Sequence, residues 1–261
     1  MTTRPPGTTW VPYGFVVLAV CAALLLAAGW RSRRPVVSLP TRQGYFADWA
    51  TVHGSYEPRG LVSWWLRGVF RVARPLAGWG VSPTVLTCLG AVVAGLVPCL
   101  VVVGPRWLLL AGVVVVVSAV LDNLDGAVAV LSSRTTSWGF LLDSLVDRVA
   151  DVAYLAAFWL IGAAGWLVVL AGAALGMLEY ARGRAGSAGM SDVGVVTVGE
   201  RPTRVIIASS FLITAGIFRG HADDVVAVAA AATAGVCVLG LLQFLVVARR
   251  ALTSDPARSN Q

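Results

Sequence analysis

The chain has 261 residues, of which 57% are hydrophobic and only 13% charged, with a mean hydropathy of +0.80. Soluble domains carry about 25% charged residues, so the composition excludes an ordinary soluble domain and indicates a polytopic membrane protein. The formal net charge is +7, and every one of the twenty basic residues is Arg. That excess fits cytoplasmic loops facing anionic headgroups better than nucleic-acid binding, so no nucleic-acid partner is expected. Arg without Lys suggests a GC-rich, bacterial genome. Cys21, Cys88, Cys99 and Cys237 lie in apolar runs without Cys-x-x-Cys spacing, so they read as small core hydrophobes. His53 and His221 stand alone in polar segments and read as surface residues.

Residues 12–30 form the first apolar run, flanked by Trp10, Tyr13 and Trp30 as interface anchors. Only Arg4 precedes it, while Arg31, Arg33 and Arg34 follow, which opposes a cleaved signal peptide and predicts an anchor helix with its N-terminus outside. Residues 31–58 are polar and broken by Pro35, Pro40 and Pro58. Residues 60–77 are amphipathic: Arg67, Arg71 and Arg74 share one face, while Leu61, Trp64, Trp65, Leu66, Val69, Phe70 and Val72 supply apolar surface. This predicts a helix lying in the membrane interface.

Ser82 and Pro83 open the next helix as cap and first residue, and it is predicted to run to about Val103. Gly104-Pro105 makes a turn. Further helices are predicted from about Trp107 to beyond Asp125, Ser137 to Gly162, Trp166 to Tyr180, Pro202 to Phe218, and Val225 to Val247. With this layout sixteen arginines fall on cytoplasmic segments, three outside (Arg4, Arg106, Arg219), and Arg148 lies within a helix. The asymmetry obeys the positive-inside rule and puts the acidic residues described next at the cytoplasmic ends of two neighbouring helices. The expected fold class is therefore all-α: a polytopic membrane helix bundle with a six-helix core, one extra N-terminal transmembrane helix and an interfacial amphipathic helix.

The segment from 122 to 147 carries Asp122, Asp125, Asp143 and Asp147 in or beside strongly apolar runs. Carboxylates at membrane depth are costly unless paired, hydrated or bound to a cation. The three- and four-residue spacings put each pair on one helical face, and the short connection lets the pairs meet. Arg148 can neutralise one carboxylate only. Hard divalent ions take carboxylate oxygens, and four carboxylates suffice for two ions, an arrangement that stabilises both attacking and leaving oxygens in a phosphoryl displacement. Gly126 and Gly139 remove bulk where a backbone or ligand must come close. A proton or cation pathway, as in an ion-coupled transporter, and a set of intramembrane ion pairs are the competing readings.

The spacing resembles the signature of the CDP-alcohol phosphotransferase family, D-x2-D-G-x2-A-R-x8-G-x3-D-x3-D. It falls here on Asp122, Asp125, Gly126, Ala129, Gly139, Asp143 and Asp147. Val130 stands where the family has Arg, and Arg134, one helical turn on, offers a substitute guanidinium. The resemblance covers roughly residues 60–250. It divides the chain into an N-terminal extension (1–59), a membrane domain (60–250) and a polar cytoplasmic tail (251–261). It implies a homodimeric membrane enzyme that transfers a phosphatidyl group from CDP-diacylglycerol to an alcohol and releases CMP. It further implies Mg2+ or Mn2+, in two ions, on Asp122, Asp125, Asp143 and Asp147. Asp122, Gly126, Ala129, Gly139 and Asp143 would line the CDP pocket, and Asp147 would serve as the base. Arg182, Arg184, Arg201 and Arg204, at the ends of adjacent helices, are candidates for gripping an acceptor phosphate. The runs LDSLVDRVADVAY and Glu200-Arg-Pro-Thr-Arg204 are most similar to branches that make phosphatidylinositol phosphate. Glycerol phosphate or another alcohol is the alternative acceptor, and an inactive relative is a third reading, raised by Val130.

Overall fold

In a computed structural model the chain is helical, and no strand occurs among the described residues, which are 11–31, 33–34, 38–52, 59–190 and 194–253. Arg4, His53, Pro35, Pro58 and residues 254–261 lie outside them. Among the described residues nine α-helices follow in order: α1 (Val11–Arg31), α2 (Arg42–Val52), α3 (Gly60–Gly78), α4 (Pro83–Val103), α5 (Leu108–Leu131), α6 (Ser137–Ile161), α7 (Gly165–Ser187), α8 (Arg201–Ile217) and α9 (Ala222–Thr253). Among the described residues four stretches are long and apolar enough to cross a membrane by length and composition alone: α1, α4, Pro105–Leu131 and Arg219–Thr253. The other long elements, α6 and α7 with 25 and 23 residues, carry charged side chains, and α8 has 17 residues. The protein is a multi-pass helical membrane protein.

The chain forms two compact units. One holds the residues up to Cys99 together with Val116–Ala150; the other holds Leu100–Val115 and the chain from Asp151 onwards. In the first unit, α3 turns Leu66, Val69, Phe70, Ala73 and Ala77 inward, against Leu124, Ala127, Val128 and Leu131 of α5. Arg67, Arg71 and Arg74 are left on the outside of α3, as its sequence pattern predicts, whereas Trp64, Trp65 and Val72, which that pattern grouped with the apolar surface, are exposed as well. The helix stops at Gly80, whose φ of 73° suits a residue without Cβ, and the Val81 N–H closes the cap on the Leu76 carbonyl at 3.0 Å.

The sequence reading leaves 31–58 irregular, but the structure contains α2 there. Its residues lack a regular apolar stripe, so the helix is held by tertiary packing rather than by an amphipathic pattern. Tyr45 is almost wholly buried, and its ring lies 5.5 Å from that of Phe70. Thr41 caps the helix by accepting the Gly44 N–H at 3.2 Å. The extension helix α1 packs on α4: Leu18 sits over Gly95 and Val85 over Gly29. Most of its remaining surface is apolar and exposed, as a lipid-facing helix requires.

In the second unit, α9 lines its inner face with Ala229, Ala230, Ala234, Cys237 and Gly240, small residues that let backbones approach. The first turns of α5 meet α8 at backbone distance; a Cβ at Gly216 would lie 2.4 Å from the Leu109 nitrogen. Two helices outrun their predicted lengths. α7 continues past Tyr180 because Arg182 finds carboxylate and carbonyl partners after the apolar run ends. α9 gains turns at both ends, with Asp223 and Asp224 at its N-terminus and Arg250 in its last turn, both favourable to the helix dipole.

Gly216→Ala is expected to destabilise the protein by about 1–3 kcal/mol through overpacking. Gly176→Ala, where an added methyl meets nothing within 4 Å, should be neutral or slightly stabilising. Thermal unfolding of the two variants in detergent checks this.

Candidate active site

The carboxylates of the 122–147 segment lie in the first unit, on α5 and α6. α5 ends in a tight C-cap: Ser133 adopts a left-handed φ of 52°, and the Arg134 N–H bonds back to the Ala129 carbonyl at 2.8 Å. Past Thr135, Thr136 caps α6, its hydroxyl accepting the Gly139 N–H at 3.0 Å. A Cβ on Gly139 would stand 3.1 Å from that hydroxyl, which gives this glycine a structural reason. The short connection folds α6 back so that single carboxylate oxygens of Asp122, Asp143 and Asp147 lie within 4.8 Å of one another.

Asp125 does not join that group of three. It is buried beside Thr87 of α4, and its Oδ2 accepts no hydrogen bond among the described residues. Asp147 also faces Arg148 at 3.7 Å. Opposite oxygens around a hard divalent ion stand about 4–5 Å apart, so the spacing, the all-oxygen donor set and the orphaned Asp125 oxygen fit such an ion.

A cavity of about 820 Å3 opens beside the cluster. Asp122, Asp125 and Asp143 line it, together with Gly126, Ala129, Val130 and Gly139; Asp147 is not among the lining residues. An added Cβ on Gly126 would meet no protein atom, so this glycine leaves room in the cavity rather than serving packing. Leu66 and Val69 of α3, with Tyr45 and Trp49 of α2, form an apolar stretch of the wall. Trp65 donates its indole N–H to Asn123 Oδ1 at 3.3 Å, which ties the amphipathic helix to the turn of α5 between the first two aspartates. The sequence reading missed both α2 and Asn123, since neither a lone Asn nor three scattered aromatics announces a site.

The four candidate acceptor arginines lie in the second unit and have different surroundings. Arg204 is 4% exposed and forks onto Asp151, with Nε to Oδ1 at 3.1 Å and Nη2 to Oδ2 at 3.0 Å; it also donates to the Gly199 carbonyl. Arg182 holds Glu200, Glu179 at 3.1 Å and the Val195 carbonyl at 3.2 Å. These two guanidiniums are engaged with the protein's own groups. Arg184 is exposed and Arg201 half-buried. Asp151 gave no sequence signal of this pairing, because its partner lies fifty-three residues away. Burial alone would raise the Glu200 carboxyl. The Arg182 guanidinium and the Thr197 N–H and hydroxyl outweigh it and hold Glu200 below the ordinary glutamate range.

The sequence model of the CDP-alcohol phosphatidyltransferase family matches residues 80–242. The chain belongs to the CDP-alcohol phosphatidyltransferase family. Its transferase fold is similar to that of the phosphatidylinositol phosphate synthase of Mycobacterium tuberculosis, solved with CDP-DAG bound. The TM-score is 0.58 at 24% identity, covering 75% of this chain and 98% of that one. A second structure of that synthase, with manganese and citrate, gives a TM-score of 0.57 at 23% identity, covering 74% and 92%. Among similar proteins, the archaetidylinositol phosphate synthase of Pyrococcus horikoshii is 34% identical over 146 residues, 54% of this chain and 76% of its own. The phosphatidylinositol phosphate synthase of Streptomyces avermitilis is 34% identical over 163 residues, 58% of this chain and 64% of its own.

Breaking the buried pair by Arg204→Ala or Asp151→Asn should each cost about 3–5 kcal/mol of stability. An Asp151→Leu/Arg204→Met double variant should recover much of it, read by unfolding in detergent. The Glu200 contribution is present above the unfolded value near 4.5 and is lost as pH falls through the lower folded value. The Tm difference between wild type and Glu200→Gln should therefore stay constant at neutral pH and shrink only in acid.

Proposed function

We propose that this chain moves a phosphatidyl group from CDP-diacylglycerol to inositol phosphate, releasing CMP, with divalent metal held by Asp122, Asp125, Asp143 and Asp147. The observation that carries the reading is the carboxylate cluster at the edge of a cavity large enough for a nucleotide. Family membership and relatives named as archaetidylinositol phosphate and phosphatidylinositol phosphate synthases support it. Asp122, Gly126, Ala129, Gly139 and Asp143 line the CDP pocket. Divalent ions bound there would neutralise the pyrophosphate and the departing phosphate.

Asp147 takes the proton of the acceptor hydroxyl. The hydroxyl oxygen attacks the lipid-linked phosphorus, the bond from that phosphorus to the CMP oxygen breaks, and CMP leaves. The cavity's apolar α2 and α3 wall suits the glycerol end of the donor, and positioning supplies much of the rate. Arg182, Arg184, Arg201 and Arg204 are the candidates for the acceptor phosphate, and Arg182 and Arg204 also hold carboxylates. The arginine asymmetry supports a cytoplasmic active site in a bacterial membrane, and a homodimer follows the family.

The test is CMP release by purified protein with CDP-diacylglycerol and a panel of acceptors. Inositol phosphate should be the preferred acceptor. Asp→Asn at any of the four positions should lower turnover by orders of magnitude in folded protein, and chelation should do the same. Arg201→Ala should raise the acceptor KM about ten-fold or more and leave the donor KM unchanged. Preference for glycerol phosphate would replace the acceptor; full turnover without metal would end the metal reading.

A further inference from the structure

We infer that Arg134 is the phosphate-binding cation of the donor cavity, and that the linker following α1 positions it. The inference rests on the proposed use of that cavity for a nucleotide diphosphate. Among its described lining residues Arg134 is the sole basic side chain, set in a wall with Asp122, Asp125 and Asp143. A diphosphate entering such a wall meets repulsion from the carboxylates wherever metal does not screen them, and a guanidinium supplies the opposite charge with a planar fork suited to phosphate oxygens.

Two features hold Arg134 in place. The backbone cap of α5, with the Arg134 N–H on the Ala129 carbonyl at 2.8 Å, turns the residue back beside the helix end. Its guanidinium Nη2 donates to the Arg34 carbonyl, one hundred residues earlier in the chain. Arg34 is itself fixed, its N–H reaching the Gly80 carbonyl at 3.3 Å. One of the five guanidinium N–H donors is thereby spent on orientation, and the fork remains half-exposed at the cavity. Arg34, just after α1, thus has a task at the site.

Arg134→Gln is the informative variant, because the amide can still donate to the Arg34 carbonyl while the charge is gone. Binding of CDP to the full-length protein with Mn2+ present, measured by calorimetry, should weaken about ten-fold or more. The KM for CDP-diacylglycerol should rise in parallel, with the acceptor KM unchanged. Val130→Arg, one turn back on α5 and also lining the cavity, should restore CDP affinity in the Arg134→Gln background. Arg34→Pro, which deletes the N–H held by Gly80, should weaken CDP binding with the same selectivity. Unchanged CDP affinity in folded Arg134→Gln, or equal rises in donor and acceptor KM, overturns the assignment; unchanged affinity in Arg34→Pro removes the linker from it. Wild-type protein that binds CDP through Arg134 yet releases no CMP with any acceptor would instead sink the proposed reaction and leave this binding role standing.

Discussion

Like charges held close together inside a helical membrane protein are the constraint on which the first unit depends. Three carboxylate oxygens within 4.8 Å repel, when ionised, by roughly 3 kcal/mol per pair at an effective dielectric of 20, and Asp125 adds a buried fourth carboxyl group. Arg148 faces Asp147 of the trio at 3.7 Å. A cluster of this kind persists where the surrounding structure over-determines it and where a cation or substrate group uses it.

The supports are local and short. The α5 cap, the single residue from it to Thr136 and the Thr136 cap on α6 leave little freedom in how the two aspartate pairs face each other. Ser118 bonds to the Gly90 carbonyl at 3.0 Å, fixing α5 on α4 just before Asp122, and the Trp65–Asn123 bond fixes it on α3 just after. A catalytic constellation needs placement within fractions of an ångström, and these contacts fix α5 one turn before Asp122 and again between Asp122 and Asp125.

In the second unit the same residue type serves a different end. Arg204 and Arg182 have the charge and fork that suit phosphate, yet the fold uses them to secure the segment between α7 and α8 through Asp151, Glu200 and backbone carbonyls. Arginine suits both tasks because its planar donors are pre-organised and stay charged. Sequence position at a helix end therefore does not separate a structural guanidinium from one that meets substrate.

Periodic and compositional features were legible from residues alone. Apolar runs located α1, α4, α5 and α9, the basic stripe of α3 was visible at helical spacing, and the aspartate intervals pointed to a shared helical face, since each of these depends only on helix geometry. What depends on partners distant in the chain was not. α2 lacks a stripe and exists through Tyr45 against Phe70; α7 extends because Arg182 meets groups beyond its own helix; Arg204 is committed to a carboxylate that no local pattern announces. Asp125 shares its spacing with Asp122, but burial beside Thr87 sets it apart from the trio that converges. Local periodicity determines which face a residue takes, whereas which groups meet across that face is decided only when the helices pack.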